Sequence, residues 1–461
     1  MSFLHQHLVV LPIVLPLAFG ALMLLFDERR VLLKGIVGFA ASIALVCAAI
    51  ALLSVVDGGA TQVYRLGNWP AHFGIVLVGD RLSALMVLLA SIVGLCALTF
   101  SLARWHRAGP RFHALFQFLL MGVNGAFLTG DLFNLFVFFE VLLASSYGLA
   151  LHGSGIARVT SSLHYIAVNL AASLLFLIGA SLLYSVTGTL NMAALAAQVP
   201  HVSSGDRVLL EAGAAILGIA FLVKAGMWPL GFWLPGTYSA ASAPVAAVFA
   251  ILTKVGVYSV LRMWLLLFGD GTHASAGFGA EWLMVGGLAT LAFGLVGVLA
   301  SHEMSRVASF SLLVSSGTLL AAIGAGLHSA TAAALYYLIA STLGVSAFFL
   351  LIELVERGQQ PGAAVLAVSA EYLGGPEGEA EPEEEVGFAI PATMVVLGIS
   401  FACCALLIAG LPPFPGFLGK FALLSAVLSV DPIPTFAWVL LALLILSGFA
   451  AVISIGRAGI Q

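Results

Sequence analysis

The sequence predicts an all-α integral membrane protein with about thirteen transmembrane helices. Three observations predict it. Of 461 residues, 61% are hydrophobic and only 8% are charged, so nearly every long segment is too apolar to remain in water. Apolar runs of about 20 residues recur along the chain, the length a helix needs to cross hydrocarbon with its backbone N–H and C=O groups paired internally. Two of these runs are interrupted by Pro and Gly, as in the broken helices of transporters.

In chain order the spans fall near 8–26, 31–56, 80–103, 112–129, 131–151, 162–186, 207–228, 242–268, 281–300, 306–326, 329–356, 388–429 and 434–456. No Lys or Arg precedes the first run, which predicts a retained span rather than a cleaved signal peptide. Between the second and third spans, Gly58-Gly59 and Gly67-Asn68-Trp69-Pro70 punctuate short β-like runs, so residues 57–79 predict a small hairpin. Asp80 and Asp131 each start a span, where a carboxylate suits a helix N-terminus. After the seventh span, Trp228-Pro229, Leu234-Pro235 and Ala243-Pro244 break an apolar stretch. The run 388–429 is too long for one helix and carries its break at Gly410-Leu411-Pro412-Pro413. Both breaks point inward, because unwound backbone at membrane depth must be satisfied by protein or cavity water. Glu371 to Glu385 supplies seven carboxylates and reads as a solvated linker near 357–386. With one break in each half, the organisation expected is a three-helix segment, 1–104, followed by two inverted five-helix repeats, 112–268 and 281–456.

Charge sets the orientation. Arg29, Arg30, Lys34, Arg104, Arg107, Arg111, Arg158, Arg306, Arg357 and Arg457 fall on one side of the alternating spans, which makes that side cytoplasmic. Only Arg65, Arg81, Arg207 and Arg262 fall on the other, so the N-terminus is expected outside. No basic patch suggests nucleic acid, and the net charge of −4 reflects mainly the acidic linker. Cys47, Cys96, Cys403 and Cys404 lie in apolar runs without metal or redox spacing and are expected to be packing residues. No cofactor is implied, and no nucleophile elbow, nucleotide loop or metal motif supports an independent enzyme.

The remaining charges carry the chemistry. Glu140, Lys224, Lys254 and Lys420 each sit inside an apolar run, where an ionisable group costs about 2.5–3.5 kcal/mol and persists only with a function or a buried partner. Desolvation disfavours a charged amine, so a lysine buried in hydrocarbon can exchange protons near neutral pH. Glu140 and Lys224 read either as an ion pair joining two helices or as a switchable acid and base. Lys254 and Lys420 have no obvious buried acid, which favours proton relay. Lys224 and Lys420 each adjoin a helix break, where freed carbonyls and water can solvate a moving charge. His164, His302 and His328 read equally as packing residues or relays, and Glu353 and Glu356 as the interfacial close of the eleventh span.

Several ordered motifs, spread over nearly the whole chain, resemble a known family. Phe221-Leu-Val-Lys224-Ala-Gly-Met-Trp-Pro229, Leu234-Pro235, Ser242-Ala-Pro244 and Leu252-Thr-Lys254 are similar to the core of complex I antiporter-like subunits and Mrp antiporter subunits. Asp131-Leu-Phe-Asn134 with Glu140, and Tyr165, Asn169, Ser173 with Thr187-Gly-Thr-Leu-Asn191, resemble the fifth and sixth helices of that family. Gly410-Leu-Pro-Pro-Phe-Pro-Gly-Phe-Leu-Gly-Lys420 resembles the twelfth-helix break of the D-type subunit of Mrp (Sha/Pha) antiporters. The resemblance implies a proton-translocating subunit of a hetero-oligomeric antiporter in the bacterial inner membrane. It would exchange Na⁺ or K⁺ for protons beside other Mrp-type membrane subunits. Carried over motif by motif, Glu140 and Lys224 would be the paired acid and base, Lys254 the central relay and Lys420 the terminal exchange site.

Two departures matter. Family members often read Asp-x-Lys-Arg before the tenth helix, where this chain has Glu303-Met-Ser305-Arg306, and complex I relatives place His and Lys where this chain has Ser341 and Val345. Water held by Ser311, Ser315, Ser316, Ser341 and Thr342 would then substitute, with His328 a further relay candidate. The family norm is fourteen helices against the thirteen expected here. The alternative function is a proton-pumping membrane subunit of a complex I-like or hydrogenase-type redox complex, and a third reading is a scaffold whose charges only hold helices together. Nothing in the sequence locates a cation site or chooses Na⁺ over K⁺.

Overall fold

The computed structural model describes residues 7–70, 74–269, 274–372 and 392–460. The N-terminal part consists of α1 (Leu11–Leu25), α2 (Val31–Val56), a strand pair and α3 (Arg81–Ser101). The strands β1 (Gln62–Arg65) and β2 (Val76–Gly79) pair antiparallel with Gln62 opposite Gly79, which is the hairpin expected from the glycine-rich punctuation. Then come α4 (Phe112–Leu128), α5 (Leu132–Ala150), α6 (Ile156–Thr187), the short α7 (Met192–Gln198) and α8 (Arg207–Ala225). After the first break the chain forms α9 (Trp233–Ala240) and α10 (Ala243–Leu267), followed by α11 (Ala280–Ala300), α12 (Met304–Gly324) and α13 (His328–Tyr372). The long apolar run near the end divides into α14 (Ala392–Ala409) and α15 (Pro415–Leu428), and α16 (Thr435–Ile460) follows. Among the described residues ten helices are long and apolar enough to cross a membrane, and four shorter apolar helices accompany them.

Local chemistry explains the ends. Asp80 caps α3 through a reciprocal box with Ser83, and Asp131 caps α5 by accepting from the Asn134 amide at 2.8 Å. Pro244 and Pro415 occupy first-turn positions, where the missing N–H costs nothing. Gly226 and Gly410 terminate α8 and α14 with φ of 76° and 73°, a conformation that favours glycine. The loops at one end are tied together: the Gly130 amide donates to the Val76 carbonyl and the Met192 amide to the Gly130 carbonyl, both at 2.9 Å.

The most buried helices are α10, whose apolar window is wholly inside, and α12, at 94%. A third of the α2, α11 and α16 windows is buried, so most of each faces outward. This distribution sets Lys254, midway along α10, in the centre of the bundle.

Two expectations need correction. The apolar eleventh span runs His328–Glu356 as expected, but α13 continues to Tyr372, so the first part of the expected linker is helical. The acidic stretch beyond Tyr372 lies outside the described residues. Cys47 and Cys96 are exposed on this chain's surface rather than packed within it, since their helices turn those faces away from the bundle.

Candidate ion-translocation site

In the second half of the chain, the structure joins four of the predicted residues. Lys254 is fully buried and its Nζ donates to Ser315 Oγ on α12 at 2.7 Å. Ser315 Oγ in turn lies 2.9 Å from Ser341 Oγ on α13. A lysine ammonium is only a donor, so Ser315 accepts from it and its own hydrogen is free for Ser341. Beyond Ser341 is a cavity of about 20 Å³ lined by Ser311, Ser315, Tyr337, Ser341, Ser447 and Lys420. That is room for a single water among several hydroxyls. On its far wall Lys420, 8% exposed, donates from Nζ to the Ala409 carbonyl at 2.9 Å. Ala409 is the last residue of α14, so the break at Gly410 frees the carbonyl that holds the amine.

In the first half, the expected acid–base pair is not in contact. Glu140 accepts a short hydrogen bond from Ser173 Oγ on α6. Lys224, 6% exposed in the last turn of α8, has no hydrogen-bond partner among the described residues, and its Nζ stands 4.8 Å from the centroid of the Phe139 ring. Ion pairs closer than 4.0 Å among the described residues include Lys34–Glu28 and Arg262–Asp80. Charge complementarity suggested an ion pair; side-chain geometry instead gives Glu140 to a serine and sets Lys224 against an aromatic face.

Two candidates stand apart. Thr342 is buried but spends its hydroxyl on the Leu338 carbonyl of its own helix at 2.6 Å. His328 is exposed at the first residue of α13, about 20 Å along the axis from Ser341. Ser316 is fully buried with no partner for its hydroxyl.

Sequence reading missed a polar aromatic cluster beside Glu140. Tyr165 OH bonds Ser146 Oγ at 2.7 Å, Tyr147 meets the Tyr165 ring edge-on at 5.2 Å, and Trp233 stacks on Tyr165 at 5.0 Å. Tyr147 OH, Trp233 Nε1, Tyr238 OH and Ser242 Oγ are all buried without protein partners. Tyr238 and Ser242 line a polar pocket of about 390 Å³ that also holds Arg158, Glu353 and Glu356. Trp105 Nε1 donates to both Glu353 oxygens at 2.7 and 2.6 Å. Tyr165 stood out only as part of a family-like motif, and Tyr147, Trp233 and Tyr238 within apolar runs read as packing; the prolines at 229, 235 and 244 were the other signal for this region.

Asp80 also does more than cap a helix. Its carboxylate pairs with the Arg262 guanidinium from α10, and Tyr258 OH accepts from both Arg262 Nε and Nη2. Burial works against charge on Asp80, but the hydrogen bonds and charge of Arg262 outweigh it and hold the carboxyl below the usual carboxylate range.

The fold and site define a class: a many-helix membrane protein with three buried lysines, two of them beside helix breaks and the third bonded to a serine pair at the centre of the bundle. Residues 129–449 match the family described as NADH:quinone oxidoreductase/Mrp antiporter, TM. A probable K(+)/H(+) antiporter D-type subunit of Rhizobium meliloti (strain 1021) is 58% identical over 468 residues, covering 99% of this chain and 86% of the relative. The Na(+)/H(+) antiporter D-type subunit of Alkalihalophilus pseudofirmus is 36% identical, covering 91% of this chain and 80% of the relative. A chain of the Mrp complex from a Dietzia species superposes with a TM-score of 0.81 at 28% identity, covering 99% of this chain and 79% of that one. A chain of respiratory complex I from Thermus thermophilus matches at a TM-score of 0.77 and 20% identity, covering 98% of this chain and 88% of that one, which shows shared fold alone. This chain belongs to the NADH:quinone oxidoreductase/Mrp antiporter family, in the group of its D-type antiporter subunits.

Proposed function

We propose that this chain is the proton-translocating subunit of a multisubunit monovalent cation/proton antiporter, a secondary transporter without enzymatic chemistry of its own. Its family membership and the names of its antiporter relatives support that reading over a redox-complex subunit. K⁺ is the cation to test first, because the 58%-identical relative is named for K⁺.

The observation that carries the mechanism is the chain of contacts from Lys254 through Ser315 and Ser341 to the cavity at Lys420. A proton leaving Lys254 is taken up by Ser315 as that serine passes its own hydrogen to Ser341. One cavity water completes the path to Lys420. Glu140 and Lys224 form the opposite end of the relay: Lys224 lacks a protein partner, so water or a rotated Glu140 must stabilise its charged form. The unpartnered hydroxyls of Tyr238 and Ser242 make the pocket at Glu353 and Glu356 the natural water-filled mouth to this end. Two inverted repeats, 112–268 and 281–456, remain our reading of the architecture. It is supported by a positive-φ glycine ending a helix beside a buried lysine in each half, at Gly226 and Gly410.

The test is cation-induced collapse of a pH gradient in inverted vesicles carrying the whole assembly, with K⁺, Na⁺ and Li⁺ offered in turn. Lys254→Ala and Lys420→Ala are expected to abolish exchange with assembly intact, whereas Lys420→Glu restores a titratable group and retains exchange with an altered pH profile. Wild-type rates in both alanine variants at every pH would remove these lysines from the pathway.

A further inference from the structure

A second charged concavity lies away from the lysine relay. It joins the turn after α1 to the connection between α3 and α4 and has a volume of about 320 Å³. Glu28 ties the two segments: its carboxylate accepts from Lys34 Nζ at 2.9 Å and from the Arg111 amide at 3.3 Å. The hydrogen bond from Lys34 holds that carboxyl below its usual range, so the acid stays ionised with its charge compensated by Lys34. Arg107 and Arg111 line the same pocket, and their exposed guanidinium groups have no hydrogen bond or ion pair among the described residues. Counting Lys34, Arg107 and Arg111 against Glu28, the lining carries a net charge of +2.

The floor is a buried histidine pair. His106 and His113, 6% and 3% exposed, line the pocket and join through His106 Nδ1 and His113 Nε2 at 3.2 Å. Their outer nitrogens, His106 Nε2 and His113 Nδ1, have no partner. In a neutral pair one inner nitrogen donates and the other accepts, so one outer nitrogen carries a hydrogen and the other a bare lone pair, and His113 Nδ1 faces Gly38 of α2. His113 lies in the first turn of α4, whose initial amides have no intrahelical acceptor and carry the positive end of the helix dipole.

We infer that this pocket binds the phosphodiester headgroup of an anionic membrane lipid. Free phosphate shares the anion chemistry, but two features favour a lipid. The pocket sits where α2 and α4 begin, at the end of the bundle, and Val31, Pro110 and Phe112 give it an apolar wall. Directly beyond Val31, Leu32 and Ile36 on α2 are 72% and 59% exposed, an apolar track on which an acyl chain can lie.

The test uses the whole complex reconstituted in phosphatidylcholine vesicles doped with phosphatidylglycerol bearing a photoreactive acyl chain, followed by peptide mapping. Cross-links are expected in residues 27–36 or 104–113. They should fall about tenfold in the double variant Arg107→Gln, Arg111→Gln, while Arg107→Lys, Arg111→Lys retains them and cross-links elsewhere stay unchanged. Equal labelling by a photoreactive phosphatidylcholine, or undiminished labelling of the glutamine variant, would overturn the site. Loss of the cross-link on adding inorganic phosphate alone would overturn the lipid assignment in favour of a free-anion pocket.

Discussion

Ser315 accepts from Lys254 and lies against Ser341, so in the proposed relay its hydroxyl is the most direct place to interrupt transfer. Ser315→Ala removes the acceptor of a buried ammonium, a hydrogen bond to charge worth about 1.5–3 kcal/mol. If that bond is needed in the transfer step, exchange should slow by about 10–100-fold without loss of assembly, measured as the initial rate of gradient collapse. A rate unchanged from wild type would show that Lys254 hands its proton elsewhere. Asp80 makes a stability prediction of known sign. Its carboxyl is held below the usual range, so the Arg262 pair stabilises the fold above the unfolded value of about 3.9 and loses that contribution as pH falls through the lower folded value. Asp80→Asn should therefore cost about 1–3 kcal/mol at neutral pH, and the difference from wild type in thermal unfolding should vanish in strong acid. A difference that grows on acidification would contradict the assigned pair.

At the scale of elements, the break between α14 and α15 holds Lys420 in place. Gly410 combines a φ of 73° with close approach: a Cβ there would lie 2.7 Å from Lys420 Cδ and 2.9 Å from its Nζ. Gly410→Ala is strained by about 1–2 kcal/mol in the backbone, and the flexible lysine, not the helix, is what gives way. The amine should leave the Ala409 carbonyl, and exchange should drop to the level of Lys420→Ala while size-exclusion profiles remain those of the intact assembly. Exchange at the wild-type rate would mean that the position of Lys420 at the break is immaterial. The corresponding contact in the first half is helix against helix: a Cβ on Gly256 of α10 would lie 2.5 Å from the Ala225 amide, so α10 presses directly on the end of α8 beside Lys224.

For the whole molecule, the positive residues clustered on one side predict that the segment 357–386 is cytoplasmic. After replacement of the four native cysteines, single cysteines between 377 and 385 should react with impermeant reagents only in inverted vesicles, and labelling of right-side-out cells would reverse the orientation. The helical class, the order of the spans, the two breaks and the buried lysines at 224, 254 and 420 were all legible in the sequence. Hydrocarbon penalises charge and unpaired backbone so heavily that each exception stands out against an apolar run. Ser315 and Ser341 were legible as relay candidates, but their direct contact with each other and with Lys254 was not, because the three residues lie on different helices. The Glu140–Lys224 ion pair was suggested by charge and denied by geometry, since Ser173 reaches the carboxylate and the Phe139 ring stands beside the amine. Arg262 and Asp80 read as separate interfacial charges and met only when α10 packed beside α3. Local sequence thus determined which groups are costly to bury. Tertiary packing alone decided which of them touch, because hydrogen bonds act over about 3 Å and helix spacing along a chain carries no information at that distance.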